Sequence, residues 1–222
     1  MKPAIKAFIF DAYGTLFDVH SVMEELEQHF PEKGQAISQT WRKKQVEYFF
    51  MRQIMGRYKP FDHVTRDSLI YAVKENGQNI SAETLDQMLN AYRKLAHYDE
   101  VSDVLKKLQG KELIIFSNGS DNMLQPLIDY SGLGPLFTDV ISADEIKQYK
   151  PSPAAYLHAL QKAGVKREEV LFMSSNGWDI SGAKSFGFNT AWINRNGLPV
   201  EELQLEPDAE YRDLSGILEW VK

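Results

Sequence analysis

An isolated carboxylate ends the first apolar run of this chain. Asp11 directly follows Ala7–Phe10, a run with no alternation of apolar and polar residues, which is typical of a central parallel strand buried on both faces. Ligands of open α/β sheets bind just beyond the carboxyl ends of strands, so Asp11 is predicted to stand at the mouth of a site. Gly14 would allow a tight turn there, and the Thr15 hydroxyl can hydrogen-bond the carboxylate. An Asp that merely initiates a turn is the alternative.

Two further apolar runs also end in polar residues. Ser117 and Asn118 follow one run, Ser174–Asp179 follows the other, and Lys150 lies in the loop before a helix that Pro153 opens. A carboxylate, hydroxyls, amides and an ammonium at one sheet edge form a constellation that structure alone does not require. We therefore predict a functional site at this edge of the sheet rather than a set of turn residues.

The elements that position these groups alternate along the second half of the chain. From Asp99 onward, short helices alternate with short apolar strands, which predicts an α/β fold: a doubly wound parallel sheet with helices on both faces. The predicted strands are 7–10, 112–116, 139–142, 170–173 and 189–193, and the predicted helices between them are 101–108, 123–128 and 153–163.

A long helical stretch separates the first two predicted strands. Apolar residues at helical spacing, with Gly and Pro between segments, predict a small helical bundle. Its segments are 21–30, 35–58, 64–76 and 81–96. The predicted domains are therefore an α/β core of residues 1–16 and 99–222, and a helical cap of residues 17–98 inserted after the first strand.

Composition excludes several classes of protein. The 222 residues are 43% hydrophobic and carry a net charge of -6, which argues against a nucleic-acid partner because nucleic-acid binders usually present a basic face. The absence of Cys excludes disulfides, thiolate catalysis and Cys-ligated metals, and the five His residues show no spacing typical of a metal site or triad. Met1–Pro3 leads directly into the first strand without an apolar signal region, and no stretch approaches the ~18 residues of a membrane span, so we expect a cytoplasmic protein with no membrane partner.

Five motifs give the chain a resemblance to a known superfamily. They are Phe10–Val19, Trp41–Gln45, Phe116–Gly119, Tyr149–Pro151 and, as the most specific, Ser174–Asp179. On these motifs the chain resembles the haloacid dehalogenase-like hydrolases over nearly its whole length, and within them most closely the L-2-haloacid dehalogenases. The resemblance implies a Rossmann-like core, a covalent aspartyl ester and a homodimer.

Residue roles follow from the resemblance. It implies that Asp11 is the nucleophile, that Thr15 and Ser117 support it or the substrate carboxylate, and that Lys150 steadies the negative charge. Arg42, from the inserted bundle, would accept the departing halide together with Asn176. The other implied members are Tyr156, Ser174 and Asp179 in the polar shell, and Tyr13, Asn118 and Trp178 as substrate-binding residues.

Three of these residues have plainer readings. Arg42 alone would be a solvated surface charge on a long helix, and Trp178 alone would be a core residue. Tyr156 can pack in the core with its hydroxyl at the site without acting in catalysis. Lys43 stands where the family usually has a neutral amide, which leaves the size and polarity of the substrate open.

The residue two places after the nucleophile separates carbon from phosphorus chemistry. A phosphate monoester is a dianion that a bare Asp11 would repel, and its alkoxide leaving group needs a proton. The phosphatase branch therefore uses a divalent metal and a second Asp at this place, where the present chain has Tyr13. Ser174–Asn176 also lacks the paired carboxylates that would hold Mg²⁺, and Asp179 is the one acidic group nearby.

A 2-haloacid makes lighter demands. It is a monoanion and its halide is a very weak base, so fixed donors such as Arg42 and Asn176 suffice without an acid, a metal or another cofactor. The sequence thus favours displacement of halide by Asp11 with inversion, then attack by water on the ester, with Asp179 and Lys150 organising that water. A metal-dependent phosphatase and a non-catalytic protein that binds small carboxylates are the alternatives.

Overall fold

The computed structural model describes residues 4–221, so the predicted leaderless start at Met1–Pro3 lies outside the described residues. The chain divides into two compact units. An α/β unit contains the residues up to Phe17, His97–Asn118 and those from Leu133 onward, and a helical unit contains Asp18–Ala96 and Gly119–Gly132. Residues 119–132 fall within the predicted α/β domain, whereas in the structure they group with the helices. No helix within residues 4–221 is long and apolar enough to cross a membrane.

The α/β unit is built on one six-stranded sheet. Its strands are β1 (Ala7–Phe10), β2 (Glu112–Ser117), β3 (Asp139–Ser142), β4 (Val170–Ser174), β5 (Asn189–Ile193) and β6 (Ala209–Tyr211). The order is β3-β2-β1-β4-β5-β6 and every pairing is parallel, which confirms the predicted doubly wound α/β fold. Strand β6 was not predicted, because three residues of which none is fully buried carry no apolar run.

The strand order fixes where a ligand can enter. Strand β1 pairs with β2 on one side and with β4 on the other, and the chain then builds outward in both directions. The order of connection therefore reverses between β1 and β4, and such a switch point opens a crevice at the carboxyl ends of the strands. Asp11 follows β1 and Ser174 ends β4, so both border this crevice.

Strand β1 is buried on both faces. Ala7 and Ile9 point into one core cluster, and the alternate residues Phe8 and Phe10 are also fully buried. Complete burial of a phenylalanine side chain contributes about 1.5–3 kcal/mol, so this short strand is firmly held although it has four residues. This packing gives a rigid backbone support to Asp11, the residue that follows β1.

Three helices of the α/β unit flank the sheet: α5 (Val101–Lys107), α7 (Pro153–Ala163) and α8 (Gly177–Phe186). Helix α7 begins as predicted, with Ser152 as N-cap, but the Ser152 side chain makes no capping hydrogen bond. Pro153, whose ring fixes a helical φ angle, therefore defines this start. Helix α8 was not predicted, because Gly and Ser residues weaken its apolar periodicity.

The helical unit contains α1 (Met23–His29), α2 (Gly34–Ile54), α3 (Phe61–Glu75), α4 (Ala82–Tyr92) and α6 (Asp121–Ser131). The predicted ends of the second and fourth bundle helices, 58 and 96, were too late by four residues each. Gly56, at a φ of 64°, turns the chain out of α2. Buried polar bonds link three helices: Trp41 Nε1 donates to the Thr65 carbonyl (2.8 Å), and Gln45 bonds both the Thr65 hydroxyl (3.1 Å) and the Tyr92 hydroxyl (3.0 Å).

Candidate active site

The Asp11 carboxylate is the centre of a dense set of hydrogen bonds. Its Oδ2 accepts from the Thr15 hydroxyl (2.9 Å), the Asn176 amide (3.0 Å) and the Ser174 hydroxyl (3.3 Å). Its Oδ1 accepts from the Lys150 ammonium at 2.9 Å. These four donors come from three separate segments of the α/β unit, and together they fix both carboxylate oxygens of Asp11, a residue that is 5% exposed.

The turn after β1 presents Thr15 to the carboxylate. Gly14 has a φ of 90°, and a Cβ there would lie 3.0 Å from the Ser175 hydroxyl oxygen, so the turn requires glycine. The Ser175 backbone N–H donates to the Thr15 hydroxyl at 2.8 Å, leaving that hydroxyl's proton for Asp11. The predicted tight turn and Thr15–Asp11 hydrogen bond are confirmed; Ser175, inside the most specific motif, was not singled out.

Lys150 joins two carboxylates. Its fully buried ammonium donates to Asp11 Oδ1 (2.9 Å), Asp179 Oδ2 (2.7 Å) and the Phe116 carbonyl (3.1 Å), which uses its three protons. Burial by itself would lower the pKa of this ammonium, but Asp11 and then Asp179 outweigh it and raise the pKa of Lys150 above its ordinary value. Lys150 is therefore a permanent positive charge.

Asp179 has a strongly altered affinity for protons. Burial is the largest influence and raises the pKa of Asp179. The positive charge of Lys150 lowers this pKa and the negative charge of Asp11 raises it, and the resulting pKa is about 6. The Tyr156 hydroxyl lies 2.7 Å from Asp179 Oδ1 and holds this carboxylate in place. Burial raises the pKa of Tyr156 well above its ordinary value, so the phenol stays neutral and donates. A carboxylate that titrates near neutrality suits a general base.

Tyr156 packs in the core with its hydroxyl at the site, which is the plainer of the two readings that the sequence left open, while a catalytic role of the hydroxyl stays a prediction. Its ring, on α7, packs against aromatic rings of the sheet, of α8 and of the turn between α8 and β5, and its hydroxyl reaches Asp179. The ring partners are Phe116, Phe172, Phe186 and Phe188. Packing on all sides fixes where the hydroxyl lies.

Asn118 bonds the backbone of Lys150 with its whole amide. Its Oδ1 accepts from the Lys150 N–H (2.8 Å) and its Nδ2 donates to the Lys150 carbonyl (3.3 Å). The side chain thus anchors the loop that carries the ammonium, while substrate binding by Asn118 stays a prediction. Ser117 is the fully buried last residue of β2, beside Ser142 of β3.

The remaining predicted residues lie at the periphery of this network or outside the α/β unit. Tyr13 is buried two residues after Asp11, and its carbonyl accepts from Asn176 Nδ2 at 3.4 Å. Trp178 lies half-buried in the first turn of α8. Arg42 is a half-buried residue of α2, in the helical unit. In residues 4–221 no three His, Asp or Glu side chains are placed to hold a metal ion.

Arg195 contacts the nucleophile turn but is not among the predicted site residues. It lies two residues after β5, and its guanidinium donates to the Thr15 carbonyl at 3.0 Å. Applying the strand-end rule to Asn189–Ile193, as to the other strands, would have pointed to it.

The fold and these strand-end side chains define a doubly wound α/β protein with a hydrogen-bonded carboxylate at its switch point. Residues 5–187 match the family of haloacid dehalogenase-like hydrolases. The chain belongs to this family, as the motif resemblance indicated.

Individual relatives and solved structures are similar to this chain over nearly its whole length. The chain is 42% identical over 217 residues to the (S)-2-haloacid dehalogenase of Pseudomonas sp. (strain YL), covering 97% of this chain and 94% of that protein. It is 40% identical over 206 residues to a haloacetate dehalogenase of Moraxella sp. (strain B), covering 92% of each. Among solved structures it is similar to L-2-haloacid dehalogenase from Xanthobacter autotrophicus with chloropropionic acid covalently bound (38% identity, 98% of each chain, TM-score 0.92).

Proposed function

We propose that this chain hydrolyses small L-2-haloacids to D-2-hydroxyacids through an ester of Asp11, with inversion at C2. The observation that carries the proposal is the ammonium of Lys150 held between Asp11 and Asp179, because it supports a nucleophile on one side and a base on the other. The similarity to (S)-2-haloacid dehalogenases, and to a solved relative with chloropropionic acid covalently bound, supports the same chemistry.

In the first step, one Asp11 oxygen attacks C2 of the substrate. The new C–O bond forms as the carbon–halogen bond breaks, and the halide leaves with the bonding electron pair. Attack from the side opposite the halide inverts C2. The hydrogen bonds from Thr15, Asn176 and Lys150 orient the carboxylate before substrate arrives, so little entropy is lost at the moment of reaction.

In the second step, water attacks the carboxyl carbon of the Asp11 ester. Asp179 takes a proton from this water, and the negative oxygen that develops lies among the donors that already surround Asp11. The bond between the carboxyl carbon and the hydroxyacid oxygen then breaks, and that oxygen recovers the proton from Asp179. Asp11 keeps the oxygen of the water and releases the second water proton to solvent, which restores its carboxylate, and C2 is not touched again.

Esterification itself prepares Asp179 for this step. The negative charge of Asp11 is one of the causes that raise the pKa of Asp179, and the ester is neutral. The pKa of Asp179 therefore falls below its starting value of about 6 once the intermediate has formed. The base is most fully ionised in the state that needs it.

The remaining assignments are parts of the same proposal. Residues 17–98 would act as a cap domain whose closure excludes water, with Arg42 and Asn176 receiving the halide. Tyr13 and Trp178 would form the apolar wall against the substrate, and Asn118 would contribute to its binding. Ser117 would support the substrate carboxylate.

A cytoplasmic location and a homodimer complete the proposal. Met51, Ile54 and Met55 are exposed apolar side chains at the end of α2, and they support the dimer as surface that a second copy would cover. Sedimentation equilibrium of the purified protein, and fractionation of the native cells, test these two points.

The decisive experiment measures halide release from L- and D-2-chloropropionate, chloroacetate and fluoroacetate. We expect turnover of the L-isomer to D-lactate, and none with Asp11→Asn, whose folded state is checked by circular dichroism. A single turnover in heavy-oxygen water should label Asp11 before lactate. Label that appears first in lactate would mean direct attack by water, and binding without turnover would mean a carboxylate-binding protein.

A further inference from the structure

The backbone of the nucleophile turn is held by a residue outside the predicted site. Arg195 Nη2 donates to the Thr15 carbonyl at 3.0 Å. The Thr15 hydroxyl in turn donates to Asp11 Oδ2 at 2.9 Å. One residue therefore stands between the guanidinium and the nucleophile.

The guanidinium is itself fixed on two sides. Its Nη2 pairs with Glu100 Oε1 at 2.6 Å, and its Cζ lies 3.7 Å from the centre of the Tyr98 ring. Glu100 also accepts from the backbone N–H of Leu214 at 3.1 Å, so the carboxylate is anchored as well. The Arg195 and Glu100 side chains are 15% and 22% exposed, which makes this ion pair more shielded than an ordinary surface pair.

The charge of Arg195 is compensated locally by Glu100. Its influence on Asp11 is therefore mainly geometric, through the position of the Thr15 backbone. The chain segment that carries Tyr98 joins the same turn, because the Tyr98 N–H donates to the Leu16 carbonyl at 3.1 Å. Arg195 and this segment thus hydrogen-bond two successive carbonyl groups, those of Thr15 and Leu16.

We propose that Arg195 is a positioning residue for the nucleophile, acting on Asp11 through Thr15. This inference rests on the proposed function, in which Asp11 attacks C2. Fixing the Thr15 backbone aims its hydroxyl at Oδ2, and the orientation of the carboxylate toward substrate follows. Positional errors of about 1 Å at a reacting group can cost on the order of a hundredfold in rate.

The test compares Arg195→Met, Arg195→Lys, Thr15→Val and the Arg195→Met/Thr15→Val double variant. Lys184→Met is the matched control, because Lys184 pairs with Asp208 at 2.6 Å in the same unit, and Asp208 likewise holds a backbone N–H, that of Thr190. Amide hydrogen exchange of the Leu16 and Phe17 N–H groups, which both bond the Ala12 carbonyl, measures opening of the turn. Single-turnover kinetics on L-2-chloropropionate measure ester formation.

Arg195→Met should speed exchange in the turn roughly tenfold and slow ester formation on the order of tenfold or more, with KM little changed. Both residues act on Asp11 along one path, so the effects of the two substitutions should not add. The double variant should form the ester at a rate within about twofold of that of the slower single variant. Arg195→Lys should recover part of the rate, and Lys184→Met should leave exchange and rate unchanged.

Unchanged exchange in Arg195→Met, or fully independent effects of the Arg195 and Thr15 substitutions, would overturn the proposal. Failure of the proposed function has a different signature, since the unaltered chain would then release no halide from any 2-haloacid. The exchange measurement decides the hold of Arg195 on the turn in either case.

Discussion

Tyr156 and Asp179 meet through a hydrogen bond of 2.7 Å between the phenol and Asp179 Oδ1, while Lys150 binds the other carboxylate oxygen at 2.7 Å. Each oxygen of Asp179 thus has a fixed donor. Both donors favour the ionised carboxylate and oppose the effect of burial, so the pKa of about 6 is a balance that single substitutions can shift.

Tyr156→Phe removes one of these donors. The Tyr156 hydrogen bond lowers the pKa of Asp179, so its loss should raise that pKa above about 6. A hydrogen bond to a charged group contributes ~1.5–3 kcal/mol, which corresponds to a shift of about 1–2 pH units. The acidic limb of the kcat profile should move to higher pH, while Tyr211→Phe, in β6, should leave it in place. An unmoved limb in Tyr156→Phe would contradict the assignment of Asp179 as base.

Asp11→Asn should lower the pKa of Asp179, because the negative charge of Asp11 is one of the causes that raise it. Carbon-13 NMR of labelled aspartate carboxyls can follow this titration directly. In the unaltered chain we expect one Asp titrating near pH 6, and in Asp11→Asn the same signal titrating lower. An unchanged midpoint would mean that the charge of Asp11 does not affect the pKa of Asp179. It would contradict the proposal that esterification of Asp11 lowers this pKa.

Gly182→Ala should disturb the same contact by overpacking. A Cβ at Gly182 would lie 2.5 Å from the Tyr156 hydroxyl oxygen and would also overlap Pro151. We expect a loss of about 1–3 kcal/mol in the free energy of unfolding, together with a lower kcat. Gly216→Ala is the matched control, because its Cβ would meet the Tyr211 ring instead. The control should lose stability in urea but keep the kcat of the folded protein; equal losses of kcat would assign both effects to stability.

Arg42→Ala tests the proposed halide acceptor. Removing a cation that binds the developing halide should cost ~3 kcal/mol in the transition state, which is roughly a hundredfold in kcat. The free energy of unfolding should change little. Arg52→Ala, on the same helix, breaks an ion pair with Asp67 and should leave kcat unchanged. Full activity in Arg42→Ala would make this residue an ordinary surface charge of α2.

Metal independence is expected from Tyr13 and Lys150. Tyr13 stands where the phosphatase branch has its second Asp. The Lys150 ammonium already pairs with Asp11 and Asp179, the two carboxylates that could otherwise bind a metal ion at this site. Halide release should survive dialysis against EDTA, and added Mg²⁺ should create no hydrolysis of p-nitrophenyl phosphate. Loss of activity with chelator, and phosphate-ester turnover restored by Mg²⁺, would identify a phosphatase.

Local patterns in the sequence predicted most of the fold. The uniform apolar run of Ala7–Phe10 reflects burial on both faces, and Pro153 marks the start of its helix through its fixed φ angle. Elements whose stability comes from packing rather than from their own pattern were missed. Strand β6 and helix α8 are of this kind, because three residues and a Gly- and Ser-containing stretch show little periodicity.

The sequence by itself determined which residue types stand at the strand ends, and hence that a carboxylate, hydroxyls and a lysine come near one another. Only the tertiary structure decided which of these side chains form hydrogen bonds with one another. Lys150 lies 139 positions from Asp11 and 29 from Asp179, and the full use of its three protons depends on where the chain folds back. The raised pKa of Asp179 and the hold of Arg195 on Thr15 belong to the same class of property. Burial and hydrogen-bond geometry are set by segments distant in the chain, and no local pattern records them.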